Sequence, residues 1–167
     1  MNDFCESIGR PTGEQMPPHP MGIYSLSAPP NGGGISTLWV AAMTATDRYT
    51  RDFLGVEEKT RREPEIENVD VTVFNESNGE TAVEVIPKIL MRQPDVFVVP
   101  HISNTETLDL LCEITETEGK VIITSTRAKS AAEALLKLLG AASNKVTFIK
   151  HVNLVVNTRL VRRLCEG

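Results

Sequence analysis

Ala28-Pro29-Pro30-Asn31-Gly32-Gly33-Gly34-Ile35-Ser36-Thr37-Leu38-Trp39 is the stretch whose reading decides the fold. It follows the short apolar run Gly22–Leu26 and leads into apolar residues at helical spacing, so it occupies a turn between a strand and a helix. Such a loop binds phosphate when glycines let backbone N–H groups converge on an anion, a Lys meets the β and γ phosphates, and a Ser or Thr holds Mg²⁺. Here the glycines are present and the working side chains are not, because Gly34 stands at the Lys position and Ile35 at the hydroxyl position. Residues Asn31, Gly32, Gly33, Gly34, Ile35 and Ser36 are expected to form a relic phosphate loop, and a plain flexible turn is the competing reading.

Outward from the loop, Ile23–Leu26 reads as a buried strand. The apolar residues Leu38, Val40, Ala41, Ala42, Met43 and Ala45 predict a helix from Ile35 that fades between Asp47 and Thr50. Residues 1–20, with Pro11, Gly13, Pro17, Pro18 and Pro20, predict an irregular lead-in or linker, which leaves 21–167 as the core domain. Downstream, Phe53–Val56 predicts a strand that ends on the acidic pair Glu57-Glu58. The alternation of Val69, Val71 and Val73 with Asp70 and Thr72 predicts an edge strand with one wet face. Glu80–Gln93 has helical spacing, with Pro87 expected to kink the helix or set its start. Asp95–Val99 is a continuous apolar run, read as a central buried strand stopped by Pro100.

A helix capped by Asn104 or Thr105 and stopped near Gly119 follows, then a strand at Val121–Ile123, then a helix over Ser130–Leu139 closed by Gly140. Val146–Val156 reads as helix or strand, and Arg159–Leu164 as a final strand. Short buried strands alternating with helices predict an α/β fold with a mainly parallel sheet and helices on both faces, where ligands bind at the C-terminal ends of the strands.

Composition narrows the class. With 167 residues, 41% of them hydrophobic, the chain can bury a proper core. A net charge of −5 gives no electrostatic reason to expect nucleic acid. Cys5, Cys112 and Cys165 are odd in number and far apart, which suits a reducing compartment and lacks metal-ligand spacing, so a cytoplasmic chain is expected. No apolar run approaches the ~18 residues of a spanning helix, and any membrane association is expected to come through partners.

The order of segments resembles the type II secretion and type IV pilus ATPase family, whose motor core is RecA-like and of the P-loop class. The family loop Gly-Pro-Thr-Gly-Ser-Gly-Lys-Thr-Thr-Thr-Leu-Tyr is matched here by Pro29, Gly33, Thr37, Leu38 and the aromatic Trp39, with Ala28 at its first position. The family's acidic box is similar to Glu57-Glu58, although Lys59 replaces the Pro that follows. The segment Ile89-Leu90-Met91-Arg92-Gln93-Pro94-Asp95-Val96 resembles the family's Ile-Leu-Arg-Gln-Asp-Pro-Asp-Val region. Beyond it, His101 stands where the family has its metal-side Glu, and Ser103-Asn104 where it has Arg-Asp. Gly119–Arg127 resembles the family's Gly-His-Leu-Val-Leu-Ser-Thr-Leu-His, with Arg127 for the final His. Arg159–Cys165 is similar to its Arg-Leu-Val-Arg-Arg-Leu-Cys.

The resemblance implies a RecA-like core that keeps scaffold residues and has lost those that handle Mg·ATP. The expected function is therefore a structural or regulatory subunit with little or no hydrolysis. Its implied partners are secretion or pilus assembly proteins at the inner face of a membrane, within a ring of like or unlike subunits. Two alternatives remain: a divergent active ATPase using Glu57 or Glu58 with ATP and Mg²⁺, and an anion-binding module at the glycine loop.

No cofactor and no metal ligand is assigned. Ser36 lies one residue past the metal-hydroxyl position, about 100° round a helix, and cannot take that role without a shift of the loop. Glu57 and Glu58 are the candidate catalytic carboxylates, against a reading as solvated charges. For His101, a packed or hydrogen-bonded side chain is favoured over a catalytic one, since Mg²⁺ prefers oxygen ligands. Arg48, Arg51, Arg61 and Arg62 read as salt-bridging charges, against a role on a neighbouring subunit's phosphates.

Overall fold

The structure is a computed structural model that describes residues 21–102 and 104–161. β1 (Gly22–Ala28) passes through the glycine loop into α1 (Ile35–Thr44). β2 (Phe53–Glu58), β3 (Asp70–Phe74), a 3₁₀ turn (Glu76–Asn78) and α2 (Ala82–Leu90) follow. The chain continues through β4 (Val96–His101), α3 (Thr105–Glu118), β5 (Val121–Arg127), α4 (Ala131–Ala141), α5 (Lys145–His151) and β6 (Val152–Asn157).

The six strands form one sheet in the order β3-β2-β4-β5-β1-β6, and every pair of neighbours runs parallel. Parallel pairing brings the ends of β1, β2, β4 and β5 to the same edge, so the glycine loop, Glu57-Glu58, His101 and Arg127 all lie there.

Side chains alternate across the sheet, and two apolar cores result. Ile23, Leu54, Val56, Phe97, Val99 and Ile122 point to one face and meet helices α2 to α5 through residues such as Ile86, Leu111, Leu138 and Phe148. Tyr24, Leu26, Phe53, Val96, Val98 and Ile123 point to the other, where the helical residues Ile35, Trp39, Ala42 and Met43 all come from α1. That second face has Ile66 and Val69 of the β2–β3 loop at its margin.

Several boundaries differ from expectation for local reasons. β4 does not stop at Pro100: it runs to His101, and the register against β5 slips between Val99 and His101. The missing proline N–H disturbs the ladder there, while Ser125 Oγ donates to the Pro100 carbonyl at 2.6 Å and keeps the edge joined. Pro87 neither starts nor ends α2 but sits inside it on an exposed side. Gly140 does not close α4, which continues to Ala141.

Val146–Val156 resolves into both candidate states, helix to His151 and strand from Val152. Arg159–Val161 is not a strand, and Arg162–Leu164 lies outside the described residues, as does the lead-in over 1–20. Asn104 is the cap of α3, its side chain accepting from the Thr107 amide at 2.8 Å. Among the described residues no helix is long and apolar enough to cross a membrane.

Candidate functional site

The glycine loop is built on left-handed backbone. Asn31, Gly32 and Gly34 have φ of 62°, 85° and 80°, and Gly34 is the cap of α1 with no side chain bonded to the free amides. Gly33 is required by close approach: a Cβ there would lie 2.2 Å from the Pro29 carbonyl oxygen. Gly34, at the position where the resembling family has Lys, is covered by a later part of the chain. A Cβ built on it would be 3.2 Å from Cγ of Leu160, three residues past the end of β6. That passage is pinned by the Thr158 amide donating to the Ser27 carbonyl at 2.9 Å and by Asn157 Nδ2 donating to Ser27 Oγ at 2.9 Å.

Ile35 packs into the apolar core. It is 4% exposed and belongs to the same core as Leu26 and Trp39. Ser36 donates its hydroxyl to Glu63 Oε2 at 3.1 Å.

The acidic pair divides. Glu57 and Glu58 alternate across β2, and both are buried, so neither is the solvated charge that the neighbouring charged residues suggested. Glu58 closes a local turn, accepting from the Thr60 amide at 2.8 Å and from the Thr60 hydroxyl. Glu57 Oε2 lies 3.5 Å from Arg62 Nε and also accepts a bond from the Glu63 amide. Burial pushes its carboxyl up from the ordinary value, against the Glu63 amide and the Arg62 charge.

Arg48 is buried and spends its donors internally, on the carbonyls of Glu67 at 2.9 Å and Thr44 at 3.0 Å and on the Tyr49 hydroxyl at 3.0 Å. Its guanidinium also stacks on the Tyr49 ring, 4.6 Å from the centroid. Among the described residues no group of three His, Cys, Asp or Glu is placed to hold a metal ion.

Sequence reasoning missed Glu63, which sits in a run of charges and looks solvated like its neighbours. In the structure it is the one buried residue between Lys59 and Asn68, with a side chain only 3% exposed. Its two oxygens bridge elements far apart in the chain: Oε2 accepts from Ser36 in the first turn of α1, and Oε1 lies 3.4 Å from His101 Nε2 at the end of β4. The only signal available was negative, since Pro64 follows it and a carboxylate before proline in a loop is an unremarkable pattern. Burial alone would push this carboxyl up. The hydrogen bonds from His101 and Ser36, with the electrostatic influence of His101 and Arg127, bring it below its ordinary value instead.

These opposite shifts have opposite consequences for stability. The depressed Glu63 contributes stability that is present above the ordinary carboxylate pKa and lost as pH falls through its lowered value. The raised Glu57 contributes stability complete below the ordinary carboxylate pKa and lost as pH rises through its raised value. In urea unfolding across the acid range, the deficit of Glu63→Gln relative to the wild type is expected to shrink as pH falls. The advantage of Glu57→Gln is expected to grow as pH rises. Offsets that stay constant with pH in both variants would contradict the two environments described.

Comparison with known proteins places this geometry. The family model described as Type II/IV secretion system protein matches residues 19–167. The chain is 29% identical over 146 residues to type II secretion system protein E of Klebsiella pneumoniae, which covers 87% of this chain and 29% of that protein. It is 24% identical over 152 residues to the type IV pilus assembly ATPase PilB of Pseudomonas aeruginosa, covering 88% of this chain and 25% of that one. The chain therefore spans less than a third of the length of these relatives.

Among solved structures it is similar in fold to the ATPase DotB of Legionella pneumophila, with a TM-score of 0.65 at 18% identity, covering 91% of this chain and 42% of that one. It is likewise similar to the VirB11 ATPase of the Brucella suis type IV secretion system, with a TM-score of 0.64 at 14% identity, covering 82% and 43%. The α/β architecture is thus shared with these secretion ATPases: the all-parallel sheet agrees with the strand pattern, and the RecA-like fold is the one that the resemblance implied. On the match over nearly its whole length, the chain belongs to the Type II/IV secretion system protein family.

Proposed function

We propose that this chain is a catalytically degenerate core of a secretion or pilus assembly ATPase, a structural or regulatory subunit that binds partners and turns over little or no ATP. One observation carries the reading: the two positions that would meet phosphate and Mg²⁺ carry neither a Lys nor a hydroxyl, Gly34 lying in left-handed backbone and Ile35 in the apolar core. Gly34 also lies under Leu160. A lysine at Gly34 would need the left-handed backbone that L side chains rarely adopt and would meet Leu160, so the residues present do not fit Mg·ATP. The partners are other proteins of the secretion or pilus machine, assembled in a ring at the cytoplasmic face of a membrane.

Calorimetric titration of the full chain with Mg·ATP tests this, with and without Mg²⁺. No saturating heat up to millimolar nucleotide is expected, because a bare helix end contributes only about 0.3–1 kcal/mol toward an anion. Saturation at micromolar nucleotide with Mg²⁺ would overturn the reading. A second reading, a divergent active ATPase, rests on Glu57, whose buried carboxyl holds its proton more tightly than usual, the kind of shift that marks candidate general bases. Metal-dependent hydrolysis that Glu57→Gln abolishes would establish it in place of the first.

A further inference from the structure

A carboxylate from an otherwise exposed loop is buried only where donors replace the water it gives up. Glu63 meets that condition on both oxygens, through Ser36 at 3.1 Å and His101 at 3.4 Å, while every other residue from Lys59 to Glu65 is exposed. The donors arrive from the first turn of α1 and from the end of β4, so they converge from two rigid elements and not from the loop that supplies the carboxylate. Arg127, at the end of the neighbouring β5, adds its charge to the same place. The neighbouring carboxylate, Glu57, is paired with Arg62 and accepts from the Glu63 amide, while the Ser36 and His101 donors go to Glu63.

We propose that Ser36 and His101 form a small-oxyanion site, of the phosphate class, that the chain itself fills with the Glu63 carboxylate. Resting on the degenerate reading above, this says how the former nucleotide face is kept closed. The β2–β3 loop plugs it, tying α1 to β4 without a ligand. Removing the carboxylate opens a cavity lined by donors that an external oxyanion can enter.

The test is binding of inorganic phosphate to the full chain by calorimetry and thermal unfolding, in wild type and Glu63→Ala, with folding checked by circular dichroism. Wild type is expected to show only the gradual, non-saturating stabilisation that phosphate gives most proteins. Glu63→Ala is expected to bind phosphate saturably, at least about tenfold more tightly than wild type. Its unfolding midpoint should rise by about 3–6 °C at ten times the dissociation constant.

His101→Ala added to Glu63→Ala is expected to abolish the saturable binding. ADP is expected to bind Glu63→Ala within about tenfold of phosphate, since Ser36 and His101 meet an oxygen and not a base. Should Glu63→Ala not fold, Glu63→Ser, whose hydroxyl and one water can satisfy the same donors, carries the same expectation.

A folded variant indifferent to phosphate would overturn the proposal. So would binding that survives loss of His101, or wild type binding phosphate as well as the variant. Because these outcomes are read in phosphate on the variant, they are independent of whether wild type takes up Mg·ATP, which alone decides the functional reading.

Discussion

Trp39→Ala is expected to lower the unfolding free energy by about 3–5 kcal/mol, the range for removing a large aromatic from a packed core. Trp39 is 2% exposed and is the largest side chain of the core on its face of the sheet, where α1 contributes all the helical residues. α1 is ten residues long and its cap supplies no side-chain hydrogen bond, so little holds it apart from that packing. The loss should also loosen the first turn, with the glycine loop and Ser36 that depend on it. Urea unfolding measures the cost, and Val40→Ala is the internal control. Val40 is the next residue along but 38% exposed, and its truncation should cost under about 1 kcal/mol. Equal losses from the two would mean that α1 does not dock through the face described.

Gly33→Ala is expected to be nearly as damaging, by about 3 kcal/mol, although it adds a single methyl group. The added carbon would stand 2.2 Å from the Pro29 carbonyl oxygen and 2.6 Å from the Pro29 nitrogen. Both are backbone atoms that no side-chain rotation can move aside, so the loop itself must open. Gly32→Ala makes the useful contrast, since nothing lies within 4 Å of its Cβ and only its φ of +85° opposes the change. That left-handed backbone costs about 1–2 kcal/mol. Amide exchange at Leu38, whose N–H donates to the Gly34 carbonyl at 2.9 Å, reports whether the first turn of α1 survives. Gly33→Ala should release that amide early and Gly32→Ala should leave it protected. The reverse order would show that the loop does not close on Pro29.

Much of the fold was legible because the signals are local. The runs at Ile23–Leu26 and Asp95–Val99 read as buried strands, and β1 and β4 occupy interior positions of the sheet. The alternation around Val71 and Val73 read as an edge strand, and β3 lies at the sheet's edge. Where boundaries went wrong, a longer-range contact outweighed a local preference. β4 crosses Pro100 because Ser125 on the neighbouring strand takes up its carbonyl. α4 crosses Gly140 because residues beyond it, such as Ala142, are still part of the core.

The candidate site was legible only in part. The absence of Lys at Gly34 and of a hydroxyl at Ile35 is visible in the sequence, and so is the acidic pair. That Glu57 and Glu58 are buried, on opposite sides of β2 and with different partners, is not.

By itself, then, the sequence determined the alternation of strands and helices, the parallel sheet that follows from it, and the absence of a Lys at Gly34 and of a hydroxyl at Ile35 in the glycine loop. Each of these depends on residue type and spacing within a dozen positions. Only the tertiary structure decided what surrounds that loop. Leu160 over Gly34, and Glu63 between Ser36 and His101, join residues 126, 27 and 38 positions apart in the chain. The physical reason is that a carboxylate's environment is set by the donors that meet it in space. A charge in a run of charges carries no mark of which one will be buried.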